Sequence, residues 1–247
     1  IKTVELGVQS MNDGILLDAK RGHTAQEVVE AVARLKQRGM TVGVQLLPGL
    51  KGETWETILE TAIAVVKMKP DFVRIYPVLV IENTELADQY RAGEYEPLST
   101  EQAITYCAFL KDWFERHNIE VIRTGLQSTE ELDSGTSLVA GPYEPAMGEL
   151  VVNEQYKQCL ERCINEHIES FIDKELSQWN IWGQANTFIA LNIGVFYPRS
   201  LTSKVRGLKN RNMLYFQEKY PHINFNWYED STRNTVRCCI DGLQYVL

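Results

Sequence analysis

Val4-Glu5-Leu6-Gly7-Val8-Gln9-Ser10 is an apolar run that breaks into a polar pair. Lys20-Arg21-Gly22-His23-Thr24 follows a loop, and Gly43-Val44-Gln45-Leu46-Leu47-Pro48-Gly49-Leu50 completes the first fifty residues. Between the two apolar runs, Thr24-Ala25-Gln26-Glu27 reads as a capping box. Thr24 can accept from the Glu27 backbone N–H while Glu27 reaches back. Val28, Val29, Val32 and Leu35 then recur at helical spacing, and Gly39 ends the helix as a C′ residue does. The stretch is strand, loop, helix, strand, with polar groups where buried strands end. In barrels of parallel strands those ends face the active site.

The pattern continues outward. Thr54 opens a helix carrying Ile58, Leu59, Ala62, Val65 and Val66, which Pro70 stops. Residues 72–76 read as a third strand and 84–91 as a short helix. Ser99-Thr100-Glu101-Gln102 is a second capping box, opening a helix with Ile104, Cys107, Leu110 and Phe114 on one face. Residues 120–122 form a fourth strand. Strands alternating with helices predict parallel pairing through crossovers, hence half of an α/β barrel or a doubly wound sheet. Residues 123–148, rich in Gly, Ser and Pro, read as a long functional loop. The character then changes: a helix over 150–176, a turn at 179–183, a strand over 188–196, one helix over 200–219 with Leu201, Val205 and Leu208 inward, and strands over 225–228 and 236–247. Two domains are expected: residues 1–148, and an α+β module over 149–247.

The 247 residues are 44% hydrophobic, enough for a sizeable core, and contain no run long enough to span a membrane. Net charge −8 is not the footprint of a nucleic-acid binder. The chain opens on Ile1 inside an apolar strand, so a piece of a longer protein is expected. Five cysteines, with no secretory pattern, point to reduced thiols in a cytoplasm. Cys107 reads as a core residue. Cys159 and Cys163 share a helix face, and Cys238 and Cys239 point to opposite sides of a strand.

The strings Glu-Leu-Gly-Val-Gln-Ser, Lys-Arg-Gly-His-Thr and Leu-Leu-Pro-Gly-Leu-Lys-Gly together resemble the second half of a radical SAM barrel. The likeness is to the Elongator catalytic subunit and to anaerobic coproporphyrinogen III oxidase-like proteins, over roughly residues 3 to 150. The resemblance implies half of a parallel-stranded (β/α) barrel in a radical SAM enzyme. In such enzymes a [4Fe–4S] cluster reduces S-adenosylmethionine to a radical that abstracts hydrogen. It implies that Gln9 and Arg21 contact S-adenosylmethionine. Gln45 stands where relatives carry an Asp on the ribose, and Pro77 where backbone groups meet adenine. The cluster's Cys-x3-Cys-x2-Cys is not reproduced: after Cys159 and Cys163 the third position holds Glu166. The ligands are expected upstream of Ile1, leaving this piece inactive alone. A tRNA base or a tetrapyrrole is the implied substrate.

Read as residues alone, Gln9 can cap a strand end and Arg21 can pair at the surface. Arg chemistry suits a carboxylate and an amide suits ribose hydroxyls. Glu5 shares a strand face with Gly7 and Gln9 and needs a partner there; Arg74 and Arg123 are the candidates. Tyr76, Gln127 and Tyr143 fall near the barrel mouth. His23 has no second ligand at metal spacing. The basic segment Lys204 to Asn212, with Tyr215 nearby, offers phosphate contacts or simply a solvated helix face. The alternative function is therefore a non-catalytic RNA- or protein-binding module on a barrel scaffold. An acetyltransferase of the Elongator type would carry an Arg/Gln-x-x-Gly-x-Gly/Ala loop, which the sequence lacks.

Overall fold

A computed structural model describes residues 2–178 and 191–247. By internal contacts the chain divides into two units, 1–151 and 152–247. The first runs β1 (Thr3–Gln9), α1 (Asp13–Asp18), α2 (Ala25–Gln37), β2 (Thr41–Leu46), α3 (Trp55–Met68), β3 (Phe72–Ile75), β4 (Val80–Ile81), α4 (Glu85–Arg91), α5 (Thr100–Arg116), β5 (Glu120–Thr124), α6 (Glu130–Asp133), β6 (Leu138–Ala140) and the start of α7 (Met147–Gln178).

β1, β2, β3 and β5 form one sheet in that order, every pair parallel. The order matches the chain order, as a partial barrel requires. The capping residues fix the helix starts. Thr24 and Glu27 cap α2 reciprocally, Thr54 and Thr57 cap α3, and Ser99 and Gln102 cap α5. These helices bury Val28, Val32, Ile58, Ala62, Val65, Cys107 and Phe114 against Val42, Val44, Leu46, Val73 and Ile75. Each large aliphatic side chain so buried contributes about 1.5–3 kcal/mol. Alternation sends the next residues to the other face, where Gly7, Gln45, Arg74 and Arg123 stand in consecutive register across the four strands. This inner face is polar where the outer one is apolar.

Residues 123–148 are more regular than the sequence suggests. They hold α6, and β6 pairs antiparallel with β4. Gly141 makes this fit: it sits at φ +112, and a Cβ there would stand 3.1 Å from the Val78 carbonyl oxygen.

In the second unit, β7 (Asn192–Tyr197), α8 (Thr202–Arg206), α9 (Arg211–Lys219), β8 (Asn224–Glu229), β9 (Arg237–Ile240) and β10 (Leu243–Val246) follow the long helix. The sheet order is β10-β9-β7-β8, with β7 and β8 parallel and the other pairs antiparallel. Its core joins Leu160 and Ile164 of α7 and Phe216 of α9 to Ile193, Val195, Tyr197, Cys238 and Ile240. The single helix expected over 200–219 is broken. Gly207, Lys209 and Asn210 all have positive φ, and Leu208 is exposed rather than inward. The break is held from a distance: Asn153 Oδ1 accepts from Leu208 N at 3.0 Å, and Asn212 Nδ2 donates to the Asn153 and Val205 carbonyls. Residues 236–247 form a hairpin, because Asp241 and Gly242 both take the left-handed conformation of a two-residue turn. The expected turn at 179–183, and the start of the strand placed over 188–196, lie outside the described residues.

Candidate functional site

Gln9 leaves β1 at φ 67, and the β1–β2 register slips between Gly7 and Gln9. This is a left-handed turn in a non-glycine residue, so the surroundings must hold it. Ser10, fully buried, shares a hydrogen bond with Thr61 Oγ1 at 3.3 Å. Thr61 Oγ1 also accepts from Met11 N at 3.0 Å, and Asn12 caps α1. Helix α1 then closes tightly: Lys20 N donates to Leu17 O and Arg21 N to Leu16 O, each at 3.0 Å. Lys20 occupies the left-handed position of that closure, φ 52, where glycine is usual. The closure turns Arg21 back toward β1.

The two side chains meet over Gly7. A Cβ on Gly7 would stand 2.6 Å from Gln9 Nε2 and 3.5 Å from Arg21 Nη2. Gln9 is buried, Arg21 exposed, and Gln9 Oε1 is buried with no hydrogen-bond partner among the described residues. His23 bridges two backbone carbonyls, with Nε2 3.3 Å from Val8 O and Nδ1 3.3 Å from Arg21 O. Its role is to tie the basic loop to the strand end.

Deeper on the same face, Arg74 Nη2 lies 3.1 Å from Glu5 Oε1, and Gln45 Nε2 donates to Glu5 Oε2 at 3.0 Å. Arg74 Nη1 also donates to Tyr76 Oη at 3.1 Å. Of the two arginines offered for Glu5 by the sequence, Arg74 takes the role; Arg123 instead donates to Gln127 Oε1 at 3.1 Å. Gln45 is thus engaged with a carboxylate.

Pro77, buried, lines a shallow pocket with Leu79, Gly125, Leu126, Pro142, Tyr143, Glu144 and Met147. It opens beyond the ends of β3 and β5. Gly125, at φ +82, admits Met147: a Cβ there would stand 2.5 Å from Met147 Cβ. Tyr143 donates its hydroxyl to Asp133.

Sequence reasoning passed over Glu53. This carboxylate accepts from Gly49 N within the Pro48–Gly52 turn, and Tyr95 Oη donates to Gly49 O at 2.6 Å. Burial pushes Glu53 up to about 7, against the backbone hydrogen bonds from Gly49 and Leu50, which lower it. The same burial, with Glu53 nearby, pushes Tyr95 up to about 12. A carboxylate next to the helix cap Thr54, behind two glycines, was the available signal.

The inner face fits the polar groups of S-adenosylmethionine: a guanidinium fork, an orphan amide oxygen and a patch kept open by a missing Cβ. A [4Fe–4S] cluster does not fit. No group of three His, Cys, Asp or Glu among the described residues could hold a metal ion. Cys107 and Cys238 are buried, with thiols pushed up by burial, and Cys163 is likewise raised. No helix among the described residues is long and apolar enough to cross a membrane.

Residues 1–64 match the family model described as the Radical SAM superfamily, and residues 70–158 match the Radical SAM C-terminal domain. A tRNA uridine(34) acetyltransferase of Methanocaldococcus jannaschii is 34% identical over 165 residues, covering 65% of this chain and 29% of that protein. Elongator complex protein 3 of Danio rerio is 32% identical over 99 residues, covering 39% and 18%. Among solved structures, the archaeal Methanocaldococcus infernus Elp3 with an N-terminal deletion matches with TM-score 0.55 and 34% identity, covering 64% of this chain and 37% of that one. The chain thus spans less than two fifths of the length of these relatives.

Proposed function

From a chain that belongs, through residues 1–64 and 70–158, to the radical SAM superfamily, we propose that its first unit is the later half of a barrel that holds S-adenosylmethionine for hydrogen abstraction from a tRNA base. The convergence of Gln9 and Arg21 over Gly7, at the C-terminal end of β1, carries this reading. Arg21 presents a planar fork to the methionyl carboxylate. Gln9 offers an unpartnered oxygen and an amide N–H to ribose hydroxyls. Gln45 and Glu5, held together and by Arg74, form the polar floor, and Pro77 fixes the backbone where the adenine edge would lie. When bound and reduced by one electron, the cofactor supplies the radical that takes the hydrogen. This chain's part is to bind and orient; the reducing cluster is assigned to residues outside it, and the chain alone is inactive.

A tRNA substrate is favoured over a tetrapyrrole because the relatives include a protein named for tRNA uridine(34). Acetyl transfer is not assigned, since its pyrophosphate loop is missing from the sequence. Calorimetry of S-adenosylmethionine against this chain tests the cofactor site. Arg21→Ala should weaken binding by about fivefold at most, ~1 kcal/mol, because Arg21 is solvent-exposed. Gln9→Ala should cost about 1 kcal/mol, and Arg21→Lys should restore only part of the loss. Equal affinity in all three variants and the wild type would defeat the assignment.

A further inference from the structure

The polar face of the first sheet carries two guanidinium residues side by side. Arg74 on β3 and Arg123 on β5 are direct partners across the parallel ladder. Like charges on facing residues of neighbouring strands repel. A register slip creates this pairing. Val121 stands opposite Val73 and packs with the apolar core on the outer face, so strict alternation would send Arg123 to that face as well. The slip between Val73 and Arg74 leaves Ile122 as the extra residue and sets Arg123 opposite Arg74 on the inner face instead.

The two arginines are not equally compensated. Arg74 lays Nη2 3.1 Å from Glu5 Oε1 and donates Nη1 to Tyr76 Oη at 3.1 Å. Arg123 donates Nη1 to the neutral Gln127 Oε1 at 3.1 Å, and among the described residues no carboxylate is paired with it. Glu120, the acid of β5, stands opposite Phe72 at the other end of the strand. Arg123 is half-buried, so part of its charge has left water without meeting an anion.

The cofactor does not supply that anion. S-adenosylmethionine carries one carboxylate, assigned above to Arg21. Its ammonium and sulfonium are positive and repel a second guanidinium. Gly7, Gln45, Arg74 and Arg123 occupy one row over the four strands. Three strand spacings put Arg123 about 14 Å across the face from Gly7, which leaves room for a second molecule beside the first.

Building on the cofactor reading of this face, we propose that Arg123 binds an oxyanion of the substrate, a phosphate or a carboxylate, and so positions the substrate next to the cofactor. A guanidinium presents a planar fork that fits either anion. The bound anion also offsets the repulsion between Arg123 and Arg74. A phosphate would belong to a nucleotide, and a carboxylate to a tetrapyrrole side chain.

The test is nuclear magnetic resonance titration of the whole 247-residue chain, labelled with nitrogen-15. The probes are uridine 5′-monophosphate, uridine and the tetracarboxylate coproporphyrin III. The Arg123 Nε–H signal, identified by its loss in Arg123→Gln, should move with the probe that carries the right oxyanion. Movement with uridine 5′-monophosphate but not with uridine identifies a phosphate; movement with coproporphyrin III identifies a carboxylate. Arg123→Gln should weaken that probe about fivefold, the scale of a partly exposed charge pair, and Arg123→Lys should recover part of the loss. Gln127→Glu should weaken it similarly, because it gives Arg123 an internal anion while keeping the guanidinium. The thermal midpoint of Arg123→Gln should equal or exceed that of the wild type, whereas a purely structural arginine would lower it. S-adenosylmethionine affinity should be unchanged in Arg123→Gln and lowered in Arg21→Ala, with the reverse for the probe, so the two sites fail separately. An Arg123 signal unmoved by every probe, equal probe affinity in the wild type, Arg123→Gln and Gln127→Glu, or dependence on Arg21 in place of Arg123 would each overturn the proposal.

Discussion

Arg74 on β3 reaches past β2 to Glu5 on β1, with Nη2 3.1 Å from Oε1. Gln45, on the strand between, donates to the other oxygen of the same carboxylate. Three strands are therefore tied on their polar face by one carboxylate. Glu5 and Arg74 are each about 30% exposed, so the pair is weaker than a buried one. Glu5→Ala should destabilise the protein by about 1 kcal/mol. The Glu5–Arg74 coupling in a double-mutant cycle should be about 0.5–1 kcal/mol and should shrink with salt. Urea unfolding of the four proteins at two ionic strengths measures this.

Glu53 sets a pH dependence. Its folded-state value, about 7, lies above the 4.5 of an ordinary glutamate, so the folded protein holds this proton more tightly than the unfolded chain. That stabilisation is complete below pH 4.5 and is lost as pH rises through about 7. Its size is at most about 3 kcal/mol, less where solvent reaches the carboxyl. Stability should fall from pH 5 to pH 8, and Glu53→Gln should flatten the slope in urea titrations. Parallel slopes for the two proteins would show that Glu53 titrates as an exposed acid.

Gly7→Ala separates site from fold. The new Cβ meets only the flexible end of Gln9 at 2.6 Å and of Arg21 at 3.5 Å. Stability should change by less than about 1 kcal/mol, the range of changes away from packed cores. S-adenosylmethionine affinity should drop at least as far as in Gln9→Ala, because the amide is displaced.

Gly43→Ala gives the contrasting result. There a Cβ would stand 2.2 Å from the Phe72 ring. Overpacking of this kind costs about 1–3 kcal/mol. The thermal midpoint should fall by several degrees, while Phe72→Leu in the same background should recover part of the loss.

Anaerobic reconstitution with iron and sulfide should leave this chain without a stoichiometric four-iron cluster. Cys159 and Cys163 have Glu166 where a third thiolate would be needed, and the described residues hold no three-ligand group. Visible absorbance that disappears in a Cys159→Ala, Cys163→Ala double variant would contradict this.

Where structure follows from neighbours in sequence, the sequence was readable. Thr24, Thr54 and Ser99 start helices because their side chains reach amides three residues on, and all three do so. Alternation placed Glu5 and Gly7 on one face, and charge required Glu5 a partner. Gln9 shows the limit. Its left-handed φ and the register slip ahead of it depend on Ser10 meeting Thr61, fifty-one residues away. Leu208 shows the same limit in reverse: helical spacing drew it inward, but Asn153 captures its amide and breaks the helix.

The sequence alone determined the parallel strand–helix order, the helix caps and the kinds of polar group at the strand ends, because capping, periodicity and crossover rules act over a few residues. The tertiary structure decided which groups meet: Gln9 with Arg21 over Gly7, Arg74 rather than Arg123 with Glu5, and Phe196 with Tyr228 across β7 and β8. Those meetings depend on register and on turns held by partners dozens of residues distant, and no local pattern encodes them.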